Sequence, residues 1–550
     1  PRPHAMKPLS PRPPLPLAPD AGTDAASWHA RLVEGLVRIL SPQAGPAGVQ
    51  RVQTHISTVL LAGPFAYKLK RPVRLPFLDF SSLAAREAAC AEELRLNRRT
   101  APDLYLEQLP VTGTAEAPSL GGEGPPIEWT LRMRRFAAAD EWSALARAGA
   151  LTDAHIDALA EHLAAFHAGL PPLLPGAIPD KDARTWAQES LDEIRDHPAR
   201  PPDCPPPSVE ALRAMLDGQW QRLAPVLRRR QGEGWVREGH GDLHLGNLVQ
   251  WQGRPVAFDA IEFDAALRRI DVACDIAFPF MDLIAHGLPR LAWRLAGAWA
   301  ESLGDFEGVT LLRAFGAYRA IVRAKVALLS GADTAGFSRY WGVERELSAA
   351  PGVPRLLLCS GLSGSGKSTV AAWLAEAIGA VRVRSDVERK RLYGLAPTAR
   401  EADPAVLYGS EATRRTYARL GELATLLLRG GVSVVVDAAS LRQAEREALR
   451  TLARDAGAVF SLIVCRAPEA VLRERLARRA RQGVDPSDAT GAVLDLQLRA
   501  WEPWPAQWAP WVHEVHNAGE VEQLEAQVER IARQGLSAHG PAAADATIGP

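Results

Sequence analysis

The sequence predicts an α+β N-terminal domain of two lobes followed by an α/β domain built on a parallel sheet. Three observations support that expectation. At 550 residues the chain exceeds what one hydrophobic core organises, so two or three domains are expected. Residues 361–368 read GLSGSGKS, after an apolar run at 356–359 and before a helix-like stretch at 369–378. Far upstream, residues 240–247 read HGDLHLGN and run into a strand–turn–strand pattern.

Composition narrows the partners. Basic and acidic residues number 64 each, a balance that argues against a protein that coats nucleic acid. Cys90, Cys204, Cys274, Cys359 and Cys465 stand singly, with neither metal-ligand pairing nor a disulfide framework, as in a reducing cytosol. With no signal-peptide core and no long uncharged apolar run, the expectation is a soluble cytoplasmic protein with no membrane partner. Lysine is scarce beside arginine, occurring only at 7, 68, 70, 181, 325, 367 and 390. A lysine is therefore informative wherever a compact ammonium is needed.

The elements follow in order. Residues 1–25 are rich in Pro and Ala and read as a disordered tail. A first domain spans 26–348. VQTHISTVLLA, the turn Gly63-Pro64 and FAYKLKRPV make a hairpin. Residues 82–100 have helical periodicity, with Leu83, Ala84, Ala88, Ala91 and Leu94 on one face. Strands resume at 105–111 and 127–134 around a Gly/Pro loop at 121–126. Helices run from 142 to 227, broken by proline-rich loops at 171–179 and 198–207. A β-ribbon follows, then helices to 348. The segment AAPGVP at 349–354 reads as a linker, 355–535 alternates β and α, and 536–550 is a second loose tail. No internal repeat is evident.

Asp242 and Asn247 stand five residues apart. At that spacing one kinase-type loop carries a carboxylate that orients and deprotonates a hydroxyl, and an amide that coordinates Mg²⁺. His240 is placed to brace the loop. The ribbon NLVQWQGRPVAFDA turns at Gln252-Gly253. If Trp251 faces Arg254, antiparallel pairing sets Asn247 opposite Phe258, beside Asp259. Asp259 is then the second metal ligand, with Glu262 and Asp264 as alternatives if the register slips. Asp271 and Asp275, at helical i,i+4 spacing, are expected to fix the loop or cap a helix.

This stretch resembles the aminoglycoside phosphotransferase and choline kinase branch of the kinase-like fold over about residues 50–340. It shares HGD-x-x-x-x-N, the strand-borne Asp and the Asp-x-x-x-Asp segment DVACD. The resemblance implies that FAYKLK carries the phosphate-pairing lysine, Lys68 with Lys70 as runner-up. It implies Glu93 as the ion-pair partner, with Glu87 or Glu92 as alternatives. The family's glycine-rich phosphate flap is replaced by THISTVLLAGP.

In the second domain, the turn formed by Gly361, Ser363, Gly364, Ser365 and Gly366 lets backbone N–H groups point at a polyphosphate. Lys367 reaches the terminal phosphates, Ser368 offers a hydroxyl to Mg²⁺, and Thr369 opens the helix. VSVVVDAAS at 432–440 is a buried strand ending in Asp437, where a P-loop enzyme holds Mg²⁺ through water, with Ser440 assisting. VRVRSDVERKRLYG at 381–394 resembles the acceptor side of the gluconate kinase, zeta-toxin and polynucleotide kinase group. That resemblance implies Asp386 as the base, a helix N-cap being the other reading. Arg389 and Lys390 would then face acceptor or water. The run at 471–490 resembles the lid of the same group, which implies Arg475 and Arg478 or Arg479 over the transferred phosphate.

As a whole the chain is similar to bacterial proteins that fuse an aminoglycoside phosphotransferase-like domain to an ATP-binding domain. The expectation is an ATP- and Mg²⁺-dependent phosphotransferase acting on a small hydroxyl-bearing molecule. The alternatives are a P-loop ATPase regulated by a kinase-like ligand-binding domain, and a polynucleotide 5′-hydroxyl kinase, which the neutral net charge disfavours. The acceptor and the oligomeric state are not legible.

Overall fold

A computed structural model describes residues 23–75, 78–202, 204–329, 333–397, 399, 407–482 and 491–536. Most of both expected tails, and residues 483–490 of the expected lid, lie outside it. The chain divides into two compact units, Pro1–Leu145 with His240–Arg269, and Ala146–Gly239 with Ile270–Pro550. The segment 349–354 falls inside the second. No helix among the described residues is long and apolar enough to cross a membrane.

The first unit begins with a helix, Thr23–Leu40, where the sequence suggested a tail to residue 25 and nothing regular until 52. Leu32, Val33, Leu36 and Leu40 bury one stripe of it against Leu60, Tyr67, Leu69 and Val111. The antiparallel sheet runs in the order Gln50–Gln53, Ser57–Ala62, Phe65–Lys70, Glu128–Arg134, Tyr105–Gly113 and Pro118–Leu120. The hairpin turns at Gly63, with Ala62 opposite Phe65.

Helix Leu83–Asn97 starts from the N-cap Ser82, whose side chain accepts from Ala85 N–H. Its buried face is not the expected Leu83, Ala84, Ala88, Ala91 and Leu94. The buried residues are Arg86, Ala89, Cys90, Glu93, Leu96 and Asn97. Charged residues turn inward because each finds a partner: Arg86 Nε lies 2.8 Å from Glu128 Oε2, both fully buried.

Strands Leu248–Trp251 and Arg254–Ala257 pair with Trp251 opposite Arg254. Gln252 and Gly253 have φ of 50° and 79°, as a two-residue type I′ turn requires. Phe258 N–H donates to Asn247 O at 3.0 Å, which sets Asn247 opposite Phe258, beside Asp259.

The second unit contains a helical part and the α/β part. Asp271 caps helix Val272–Ala285 through Ala273 N–H and accepts from Nε and Nη2 of the buried Arg230, at 2.8 and 2.9 Å. Asp275 lies fully buried, 3.3 Å from His167 Nε2. The pair holds structure together.

Helix Thr334–Ser348 buries Glu344, whose Oε2 has no partner among the described residues. Burial lifts its carboxyl from 4.5 to about 8, against the opposing Ser348 and Arg345. A carboxyl with a raised folded pKa contributes stability that is complete below the unfolded value and is lost as pH rises through the folded one. Urea unfolding from pH 5 to 9 should therefore show Glu344→Gln gaining a few kcal/mol on the wild type as pH rises. The gain accrues at about 1.4 kcal/mol for each pH step between the unfolded and folded pKa values. Parallel pH profiles would contradict this.

The α/β part has five parallel strands in the order Ala380–Arg384, Ser433–Asp437, Arg355–Ser360, Val459–Arg466 and Val512–His516. Helices Lys367–Ile378 and Val521–Leu536 close one face over Leu357, Val435, Ile463 and Val515. Helix Pro289–Leu303 packs on helix Lys367–Ile378, where Arg294 bridges Asp157 at 2.7 Å and Glu376 at 2.6 Å.

Candidate functional sites

Strand Arg355–Ser360 delivers the chain to the glycine turn, and helix Lys367–Ile378 begins at Lys367 itself. Gly366 sits at φ 85°, and a Cβ there would meet Asn517 Nδ2 at 1.9 Å, so only glycine fits. Ser360 Oγ donates to Ala439 O at 2.9 Å, tying the loop to the neighbouring strand end. A cavity of about 650 Å³ opens on the turn. Gly364, Gly366, Lys367, Ser368, Thr369, Arg384, Arg475, Arg478, Arg479 and Asn517 all line it. The Lys367 side chain makes no hydrogen bond or ion pair with the described residues. Gly361 has φ 155°. Ser363 N–H donates to Gln497 Oε1 at 2.8 Å, and Ser365 is buried.

Asp437 ends its strand level with Cys359 and Arg384. It is buried, with Oδ2 3.9 Å from Arg384 Nε and Oδ1 bonded to no described residue. An orphaned buried carboxylate oxygen at the end of the strand next to Arg355–Ser360 fits a divalent cation. Ser440 N–H donates to Tyr417 Oη at 2.9 Å, and its Oγ lies 3.4 Å from the same oxygen.

Asp386 lies half-buried in the first turn of helix Ser385–Leu392, whose N-cap is Arg384 with no side-chain cap. The N-cap reading is thereby set aside. Arg389 and Lys390 do not face water: both are buried, donating to Leu407 O at 2.8 Å and Pro397 O at 3.1 Å. Arg475 reaches back to the loop, its Nη1 3.3 Å from Gly364 O and its Nη2 3.2 Å from Asn517 Oδ1.

The first unit gathers a second cluster. Lys68 Nζ lies 2.8 Å from Glu93 Oε1 and 2.5 Å from Asp259 Oδ1. Lys70 Nζ lies 2.5 Å from Glu93 Oε2 and also pairs with Glu262. Burial opposes ionisation of Glu93, but Lys68 and Lys70 outweigh it and hold the carboxyl at about 2. Burial likewise opposes the charge on Lys68, and Asp259 and Glu93 raise its pKa regardless. Lys70 is sealed, whereas the Asp259 side chain is 40% exposed. The lysine nearer the opening is Lys68. Asp264 instead caps a turn, accepting from Ala266 N–H at 2.8 Å. Glu92 pairs with Arg95 at 2.8 Å and also with Arg268. Glu87 is exposed.

His240 braces the loop as expected, its Nε2 3.0 Å from Phe258 O and its Nδ1 accepting from Asp242 N–H at 3.3 Å. Asn247 Nδ2 donates to Asp242 Oδ2 at 3.0 Å and to Asp242 O at 2.9 Å. Asn247 Oδ1 and Asp259 Oδ2 bond to no described residue. Three carboxylates face two ammonium groups, so the cluster has room for a further cation. No group of three or more His, Cys, Asp or Glu among the described residues forms a metal cage of its own. Phosphate oxygens would complete the shell in either site.

Three residues here were missed from the sequence. Tyr105 donates to Glu93 Oε1 and accepts from Asp259 N–H, both at 3.3 Å. Gln497 and Asn517 hold the glycine turn, and the only available signal was a polar residue placed just after the run VHEVH.

A sequence pattern described as an AAA domain matches residues 356–504. The structure is similar to a gluconokinase from Sinorhizobium meliloti 1021, at 23% identity over 34% of this chain and 100% of that one, TM-score 0.24. It is also similar to a choline/ethanolamine kinase family protein from Mesorhizobium loti, at 13% identity over 59% and 96%, TM-score 0.37. Uncharacterized protein Rv2004c of Mycobacterium tuberculosis (strain ATCC 25618 / H37Rv) is 30% identical over 501 residues, covering 88% of this chain and 95% of its own. The chain belongs to the same family as that mycobacterial protein.

Proposed function

We propose that the protein is an ATP-dependent phosphotransferase with two nucleotide sites, transferring the γ-phosphate to a hydroxyl of a small molecule. The observation that supports this best is the rear cavity. There an uncommitted Lys367 side chain lines a glycine turn whose geometry admits no side chain at Gly366, and Arg384, in the same lining, lies 3.9 Å from Asp437, whose other carboxylate oxygen is orphaned.

In that cavity the loop amides and Lys367 bind the terminal phosphates. Ser368 and Asp437 hold Mg²⁺, which when bound neutralises phosphate charge. Asp386 takes the proton from the acceptor hydroxyl, and Arg475 and Arg478 oppose the charge that spreads during transfer. In the first unit Lys68, steadied by Glu93, pairs with phosphate, and Asn247 and Asp259 hold the metal. Asp242 takes the acceptor's proton.

The test is a screen of hydroxyl metabolites for ATP-dependent phosphorylation by the wild type, Asp242→Asn and Lys367→Ala. An acceptor whose phosphorylation disappears with one substitution or both is the expected result. Nucleotide hydrolysis dependent on Lys367 alone, with no phosphorylated acceptor, would replace this reading with that of a regulated ATPase. Phosphorylation confined to 5′-hydroxyl oligonucleotides would make it an end kinase.

A further inference from the structure

The glycine turn does not hold its shape unaided. Asn517 follows strand Val512–His516 directly, and its N–H donates to Arg466 O at 2.8 Å, which pins it at the carboxyl end of the sheet. Its amide then faces two ways. Nδ2 donates to Ser365 O at 2.9 Å, while Oδ1 accepts from Arg475 Nη2 at 3.2 Å. Arg475 in turn donates through Nη1 to Gly364 O at 3.3 Å. The two consecutive loop carbonyls are thus drawn outward by one connected pair of side chains.

In a trans peptide the carbonyl and the following N–H point in opposite directions. Anchoring Ser365 O therefore aims Gly366 N–H away from Asn517. That N–H makes no hydrogen bond with the described residues. Ser365 N–H, by contrast, is already given to Leu362 O at 3.1 Å. Gly366 N–H is thus among the amides of the turn left to meet a ligand. Asn517 is almost wholly buried, at 8% exposure, so its side chain has no room to turn away.

We infer that Asn517 is a positioning residue: it fixes the Ser365–Gly366 peptide so that Gly366 N–H faces a nucleotide's β-phosphate, and it tethers Arg475 beside the same turn. This rests on the proposal that the rear cavity binds nucleotide. The two ends of the amide are separable by substitution. Asn517→Leu keeps the volume and removes both contacts. Asn517→Asp keeps an acceptor for Arg475 but sets a carboxylate oxygen against Ser365 O.

The experiment is calorimetric titration of the full chain with ADP and with AMP, in an Asp259→Ala background so that only the rear cavity is read. Both Asn517→Leu and Asn517→Asp should bind ADP about tenfold more weakly, the scale of one lost hydrogen bond to a charged group. AMP has no β-phosphate, so its affinity should be unchanged in both. Equal weakening for AMP and ADP would mean that Asn517 merely supports the fold, and unaltered ADP binding would mean that it does not aim the loop. Either result overturns the inference while leaving nucleotide binding intact. A chain with Asn517 in place that binds no ADP overturns the nucleotide reading, and this inference with it.

Discussion

Replacing Lys367 by alanine should lower kcat/KM for phosphoryl transfer in the rear site by roughly 10²–10³-fold, the cost of removing one preorganised charge-stabilising donor. Thermal stability should be unchanged. The two halves of the statement have one cause. Lys367 opens its helix without an ion pair to any described residue, so its removal breaks no ion pair of the fold. Differential scanning calorimetry beside steady-state kinetics checks both at once. A lowered melting temperature would show a structural role, and retained activity would remove the rear site from the mechanism.

Lys70→Met should have the opposite profile, with a large loss of stability. Lys70 is sealed between Glu93 and Glu262. Removing one partner of a buried ion pair leaves charge uncompensated, at a cost of about 3–5 kcal/mol. The pH dependence follows. Burial already raises the Glu262 carboxyl, with Lys70 as the main opposing charge. Without Lys70 its folded pKa climbs further above the unfolded one, so stability is retained in acid and lost as pH rises. Urea unfolding at pH 5 and pH 8 should show the larger deficit at pH 8, with partial recovery in Lys70→Met/Glu262→Gln. Lys68→Met should destabilise less, because Asp259 is solvated. A deficit independent of pH would mean that packing, not charge, sets the effect.

These two lysines show where sequence legibility ends. Both stand in FAYKLK two positions apart, hence on one strand face, and nothing local separates them. Their difference comes from Asp259 and Glu262, delivered from a loop nearly two hundred positions later. The ribbon register was readable because Gln252-Gly253 and the pairing beside it are local. Its consequence, Asn247 beside Asp259, followed from antiparallel geometry alone.

The face of helix Leu83–Asn97 was misread for a comparable reason. Periodicity assigns Ala and Leu to the inside, yet Arg86 and Glu93 are buried because Glu128, Lys68 and Lys70 meet them there. Helix Thr23–Leu40 went unseen behind a proline-rich lead. By charge Arg389 and Lys390 read as facing acceptor or water, and tertiary partners turned both inward. Asn517 had no local signature beyond being a polar residue just after VHEVH. Parallel strand order alone brings the end of the last strand back to a loop about 150 residues earlier.

Counting nucleotide sites tests the central claim most directly. Equilibrium dialysis with a non-hydrolysable ATP analogue and Mg²⁺ should find two equivalents bound per wild-type chain, one for Lys367→Ala, and none for Lys367→Ala combined with Asp259→Ala. A single equivalent abolished by Lys367→Ala alone would contradict it, leaving the lysine-and-carboxylate cluster of the first unit without a nucleotide.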